Sequence, residues 1–451
     1  MADALERSES QIKFEDDVMR IVRNRCIPLL ALGFIISYLD RVNIGVAALT
    51  LNKDIGLTAS TFGFGAGLVS IGYAIFELPS NLALERFGAR KWMARIMITW
   101  GIVGCATALI RGPLTFYFAR FTLGAVEAGF FPGVILYLTY WFPRRYRARY
   151  VGLFALAIPL ASVIGSPLSA IVLRLNGFLG VKGWQWIYIL EASPAIVLGI
   201  LALFLLSDRP AEAAWLTPKQ REWLVGELAA ERLAHPEVHQ APPLKMLFDS
   251  RVLMLSLIFF LTGVPSYGLS YWTPQIVKSF GLTNLQTGFV SALPFIAGSV
   301  ALVIWGRASD RTQERAWNTA VPSFIAFVGL VLAAYFRSPI VAMGSICLSA
   351  VGIFGLKGPW LAMISESFSD STAAAGIALV STLGSLSGFF APWMVGVLIH
   401  RTHDFRVALI ALGVNALLGA ILVLVWARIE GRAKPRARLS DAAKLELGRK
   451  A

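Results

Sequence analysis

"NLALERFGARK", residues 81–91, closes one long apolar run, and an altered copy, "WGRASDRTQER", residues 305–315, closes another far down the chain. In each, an acid and a base stand together, Glu85-Arg86 and Asp310-Arg311, with further basic residues after them. A polar mark at the same place in two halves signals an internal repeat, one supersecondary plan used twice. Repeated halves around a central site are the build of many membrane transporters.

The chain between the marks fits that plan. Of 451 residues, 56% are hydrophobic and 15% charged, against about 25% charged in a soluble domain; the mean hydropathy is +0.65. Twelve apolar runs, at about 26–51, 58–82, 91–111, 113–141, 148–173, 184–207, 250–279, 285–306, 318–336, 338–366, 372–399 and 405–428, are long enough to cross a bilayer (roughly 20 residues). Lipid cannot satisfy backbone polar groups, so each run is a helix. Their continuous hydrophobicity excludes the alternation of a β-barrel. The first run is too long, and lacks the small-residue cleavage pattern, to be a signal peptide. The expected fold is an all-α membrane protein of twelve transmembrane helices in two pseudo-symmetric six-helix bundles. The expected domains are a cytoplasmic segment 1–25, a bundle 26–207, a linker 208–249, a bundle 250–428 and a basic tail 429–451.

Basic residues orient the spans. Arg86, Arg90, Lys91, Arg144, Arg145, Arg147, Arg307, Arg311 and Arg315 fall in loops on one side, with the tail. By the positive-inside rule that side is cytoplasmic, with both termini. The rule also accounts for the net charge of +14, and no aromatic-plus-basic platform for nucleic acid accompanies it. In the linker, "TPKQREWLVGELAAER" (217–232) is amphipathic, with Trp223, Leu224 and Leu228 on one side. Three cysteines in or beside apolar runs suggest neither disulfides nor a metal site. No nucleotide loop or nucleophile elbow appears, so no enzyme is expected.

A charge at the bilayer centre costs at least about 2.5–3.5 kcal/mol, which makes it a functional residue by default. "YLDRVNIG" (38–45) puts Asp40 and Arg41, beside Tyr38 and Asn43, inside the first span. "FARFTLGAVEAGFFPG" (118–133) puts Arg120 and Glu127 in the fourth. Two helical turns separate that second pair, so they share a face about 10.5 Å apart. Arginines bind carboxylates, bidentately where geometry allows. Burial disfavours a charged carboxyl while a nearby guanidinium favours it, so such an acid can exchange protons as an anion comes and goes. The alternative is a pair of structural ion pairs, Asp40–Arg41 and Arg120–Glu127, although buried pairs are weak sources of stability. Glu77, at the inner end of span two, and Glu191, in the outer part of span six, read as structural. Tyr267, Tyr271 and Gln275 of span seven are candidate walls of the site; each neighbouring pair is four apart and shares a face.

The marks at 81–91 and 305–315 resemble those of the major facilitator superfamily, over almost the whole chain. Asn81 and Glu85 stand where that family has glycine and aspartate, while Arg86, Gly88, Arg90 and Lys91 match. By resemblance Glu85, Arg86, Gly88, Arg90, Asp310 and Arg311 form a gating latch on the cytoplasmic side. "YLDRVNIGVAA" (38–48), "RFTLGAVEAGFFPG" (120–133), "WQWIYILEASPAIVLGI" (184–200) and "YGLSYWTPQIVKSFGLT" (267–283) are similar to the anion:cation symporter branch, whose members take up organic acids with protons. The resemblance implies Asp40 and Glu127 as the proton-coupling acids, and Arg41 and Arg120 as the charges facing substrate or Glu127.

Two departures bear on the substrate. Span eleven carries Ser381 and Ser385 where the branch commonly has asparagines, which serves a sugar acid less well. Span ten carries Lys357 before Gly-Pro. It is either a third cation, for a second carboxylate of a dicarboxylate or aromatic acid, or a lysine snorkelling to the inner surface. The expected function is uptake of a small organic anion by proton symport through alternating access. A proton-driven exporter or an anion exchanger on the same fold is the alternative. The partners are then the anion, H+ and the lipid of a bacterial inner membrane. No cofactor beyond the coupling proton is expected, and by resemblance the protein works as a monomer.

Overall fold

The computed structural model describes residues 9–234, 248–368 and 373–447, in which helices alternate with short loops and no strand occurs. The first stretch holds α1 (Glu9–Asp54), α2 (Ala59–Phe87), α3 (Ala89–Ala106), α4 (Pro113–Glu127), α5 (Phe130–Trp141), α6 (Arg144–Val172), α7 (Gly183–Leu205) and α8 (Pro218–Ala234). After it come α9 (Ser250–Lys278), α10 (Asn284–Thr312), α11 (Arg315–Tyr335), α12 (Pro339–Gly355), α13 (Lys357–Ser367), α14 (Ala373–Ser385), α15 (Ser387–Thr402) and α16 (Phe405–Leu447). Among the described residues, eleven helices or joined helix pairs are long and apolar enough to cross a membrane, and a shorter apolar stretch, Leu160–Leu175, begins in α6 and runs past its end.

The chain packs as two compact units, Met1–Val238 with Ser270–Ala292, and His239–Leu269 with Leu293–Ala451. The first unit thus takes in the turn between α9 and α10, which the expected boundary at 250 assigned to the second bundle. Small residues and ring contacts hold it there. A Cβ on Gly45 would stand 2.9 Å from the Tyr271 carbonyl oxygen, and one on Gly288 2.7 Å from that of Ser166. The Phe62 and Trp272 rings meet edge to face at 5.2 Å.

Residues 9–25 are not a segment apart from the bundle. They are the first turns of α1, and Val18, Met19 and Val22 are buried in one core with Leu224 and Leu228 of α8. Phe14 packs edge-on against Trp223. Arg145, at the start of α6, bonds Glu15 at 2.7 Å and Glu227 at 3.5 Å, and Arg147 bonds Glu231 at 3.1 Å. The amphipathic linker helix therefore docks through its apolar side and is pinned through its acids. Of the linker and tail assignments, residues 235–247 and 448–451 lie outside the described residues.

Span four is broken, contrary to a continuous helix over 113–141. α4 ends at Glu127; Ala128 is extended (φ −56°, ψ 136°) and Gly129 left-handed (φ 86°, ψ −3°). A side chain at Gly129 would be strained by that φ and would strike the Ser80 hydroxyl, so only glycine suits the turn. Span ten bends at Leu356 and span eleven at Leu386.

α4 also lies unusually close to α2. A Cβ on Gly124 would stand 2.8 Å from the Val69 carbonyl carbon, and one on Gly72 3.0 Å from the Ala125 nitrogen. Gly124→Leu is expected to force the two helices apart and to cost about 1–3 kcal/mol, read as a lower melting temperature of the detergent-purified protein. An unchanged melting temperature would mean the helices have room to spare.

Candidate functional site

The intramembrane charges of α1 and α4 meet in the core of the first unit. Asp40, Arg120 and Glu127 are 3%, 0% and 1% exposed, while the Arg41 side chain keeps 22%. Each is carried inward by a helix face: α1 presents Ser37, Asp40 and Arg41 within one turn, and α4 presents Arg120 and Glu127 two turns apart.

Neither of the structural pairings weighed as the alternative, Asp40–Arg41 and Arg120–Glu127, forms among the described residues. Arg41 reaches across to Glu127, with Nη2 at 2.9 Å and Nε at 3.2 Å from the same Oε1. Ser37 Oγ donates to that oxygen too, and Glu127 Oε2 is buried without a partner. The Arg41 guanidinium lies over the rings of Tyr73 at 4.9 Å and Tyr38 at 5.5 Å, a sandwich that holds a cation where water is scarce. Glu77, one turn beyond Tyr73, faces Arg41 as well. Asp40 is held by neutral donors: Trp100 Nε1 gives to Oδ2 at 2.9 Å and Asn43 Nδ2 to Oδ1 at 3.4 Å.

Arg120 is the exception. Its charge faces Asp40 and Tyr188, yet Nε, Nη1 and Nη2 are all buried with no hydrogen-bond partner among the described residues. Buried charges are ordinarily paired. A guanidinium carries five N–H donors, and here none of them finds an acceptor among the described residues. Gln275 Nε2 and Asn43 Oδ1 are likewise buried and unpaired, and Tyr271 is 3% exposed.

The second unit holds Tyr267, Lys357, Ser381 and Ser385. Lys357 opens α13 just after the bend, and its Nζ sits 4.5 Å over the Phe354 ring. Phe354 lies one turn back in α12, so the ammonium points toward the middle of the span. It does not snorkel along α13 to the helix end. Ser385 Oγ donates to the Thr382 carbonyl at 2.8 Å, which occupies its proton within its own helix. Ser381 is exposed and Tyr267 half-buried.

The latch residues behave differently from their alignment. Glu85 and Arg86 are exposed, and Arg86 lies over Phe87. The acid that grips the first loop is Asp208, after α7: its Oδ1 accepts the Arg90 backbone N–H at 2.8 Å, under a left-handed Gly88 (φ 88°). In the second loop, Arg315 pairs with both Asp310 and Glu366 at 3.0 Å, and Arg311 is exposed.

Ser37, Tyr73, Trp100, Tyr188 and Glu191 were not among the expected site residues. Ser37, three residues before Asp40, and the Tyr188/Glu191 pair on one helical face carried a detectable signal. Trp100 and Tyr73 carried none, being aromatics in apolar runs.

Comparison with known proteins places this arrangement. The family model for the Major Facilitator Superfamily matches residues 30–392. A protein of Agrobacterium vitis named as a candidate tartrate transporter is 44% identical over 419 residues, 93% of each chain. A quinolone resistance transporter of Acinetobacter baumannii is 37% identical over 92% of this chain and 96% of its own. Among solved structures, a bacterial homologue of the human lysosomal transporter Spinster, inward-facing and occupied, shares the fold. Its TM-score is 0.75 at 15% identity, covering 90% of this chain and 97% of that one.

An unpaired buried cation should weigh on the empty protein. Arg120→Met is expected to stabilise the ligand-free protein, by about 1–4 kcal/mol if it follows other buried ionic groups replaced by apolar ones, with a raised melting temperature in detergent. A lowered melting temperature would mean that the guanidinium is already satisfied.

Proposed function

The chain belongs to the major facilitator superfamily and is a multi-pass membrane transporter, and from that premise we propose that it imports a small organic anion with protons. The reading is carried by Arg120, a guanidinium with free donors at the centre of a helical unit. The name of the Agrobacterium vitis relative supports a hydroxylated dicarboxylate of the tartrate type as cargo. In the second unit Lys357 has no carboxylate partner among the described residues, and it is a further candidate for recognising a carboxylate. The basic loops support an orientation with both termini in the cytoplasm, and bacterial relatives support the inner membrane.

Coupling follows from competition for Arg41. While Glu127 is ionised, Arg41 is tied to it, and an arriving carboxylate meets only Arg120. A proton on Glu127 removes the competing charge and frees Arg41 for the anion, and Asp40 serves as a second acid at the same level. Release runs in reverse: when Glu127 gives its proton to the inner side, it reclaims Arg41 and the anion leaves. Alternating access carries the site between the two sides, with the loops at 85–91 and 310–315 as latches. The Acinetobacter baumannii relative favours a second reading, proton-driven export on the same frame.

Proteoliposomes with an imposed inward proton gradient separate the two. Import predicts that L-tartrate accumulates and that a protonophore abolishes the accumulation. Movement of a quinolone with no acid moved would replace import by export. Glu127→Gln is expected to lose gradient-driven accumulation and keep L-tartrate exchange; surviving accumulation would remove Glu127 from the coupling. Lys357→Met is expected to weaken L-tartrate binding by about tenfold or more, in line with about 1.5–3 kcal/mol for a hydrogen bond to a charged group. Affinity for a monocarboxylate should change little, and equal losses for both would make the lysine structural.

A further inference from the structure

Asp40 is not the only buried acid at its end of the site. Glu191 of α7 is 4% exposed; its Oε1 accepts the Ser169 hydroxyl at 2.7 Å, and its Oε2 has no hydrogen-bond partner among the described residues. No lysine or arginine is paired with it among those residues. The groups that face it come from each neighbouring helix. α1 contributes Asp40 and Asn43, and α6 contributes Ser169, with the unpaired Ser166 hydroxyl a turn earlier. On α7 itself, the unpaired Tyr188 hydroxyl faces Asp40, Glu191 and Arg120 of α4. From α3, Cys105 donates to the Ile189 carbonyl at 3.6 Å. Asn43, one turn on from Asp40 in α1, is bonded to Asp40 and faces Glu191.

Two buried carboxyls thus face the same side chain, Asn43, and the guanidinium that faces Asp40 bonds neither. Like charges facing each other in one buried region disfavour joint ionisation, and a shared proton then belongs to the pair as much as to either member. An anion arriving on Arg120 removes what countercharge there was, which favours protons on both acids. Depth orders them. Trp184 Nε1 donates to Asp54 Oδ2 at 2.8 Å, tying the ends of α7 and α1 remote from the chain termini. From that tie Glu191 lies seven residues along α7 and Asp40 fourteen along α1, about 10 and 21 Å at 1.5 Å per residue. On the orientation implied by the basic loops, Glu191 lies between the outer face and Asp40.

We propose that Glu191 is a third proton-holding carboxyl of the coupling path, beside Glu127 and Asp40, sharing protons with Asp40 and loading from the outer side before it. In each hop one carboxyl gives up the proton that the other takes, so the charge of the pair is unchanged. The proposal rests on the symport reading for its purpose, but the sharing itself is readable without transport.

The test is difference infrared spectroscopy of the protonated-carboxyl stretch across pH, on the full-length protein in lipid, beside L-tartrate accumulation in the same proteoliposomes. Glu191→Gln is expected to abolish one band and to move the Asp40 band toward acid by about one pH unit or more, the threshold for coupled sites. Asp40→Asn is expected to move the Glu191 band the same way, and Glu191→Asp to restore a coupled pair. The pH of half-maximal accumulation should move toward acid with Glu191→Gln, because the remaining acid holds its proton less readily. Bands that titrate independently of one another, or no band lost in Glu191→Gln, would overturn the proposal and leave Glu191 as the acceptor for Ser169. Coupled bands in a protein that moves no L-tartrate would sustain the pair and sink the cargo. Accumulation with uncoupled bands would do the opposite.

Discussion

The ion pair between Arg41 and Glu127 is the interaction on which the site depends. It joins the first span to the fourth at the residue where the fourth breaks. By occupying one of two arginines it leaves the other, Arg120, without a partner. The proposed coupling follows from that imbalance: one cation answered by a carboxylate that a proton can silence, one facing Asp40 but hydrogen-bonded to nothing among the described residues. Buried ion pairs are poor stabilisers compared with apolar packing. Their presence in a helical bundle otherwise held by close glycine contacts and buried aromatics speaks for a working role.

Much of this was legible in the sequence because charge stands out against an apolar background. Asp40, Arg41, Arg120 and Glu127 could be found by eye, and helical spacing put the last two on one face. Which base meets which acid could not be read. Spacing speaks for one helix at a time, and the Arg41–Glu127 pair crosses between two. The neutral partners were hidden for the opposite reason. Trp100 and Tyr73 look like ordinary bilayer residues until a carboxylate or guanidinium is found beside them. The repeated marks at 81–91 and 305–315 led to the right architecture but named no partners, because Asp208 and Glu366, which bond to these loops, lie outside the marks.

The boundaries misread in the fold share one cause. A segment dense in charge reads as solvent-exposed, so residues 9–25 and the linker helix looked peripheral. Their charges serve one another, through Arg145 with Glu15 and Glu227 and through Arg147 with Glu231, while Val18, Val22, Leu224 and Leu228 pack beneath. Amphipathic pattern and charge pattern pointed to the same helices, and only the pattern of ion pairs decided that they dock.

The break after Glu127 adds a countercharge of a different kind. A helix that ends carries about half a negative elementary charge at its last carbonyls, and α4 ends at the residue that Arg41 holds. In the proposed cycle that backbone charge stays in place when Glu127 takes a proton, opposed in part by the N-terminus of α5, which starts at Phe130. A continuous helix at this position would have had no such terminus to offer.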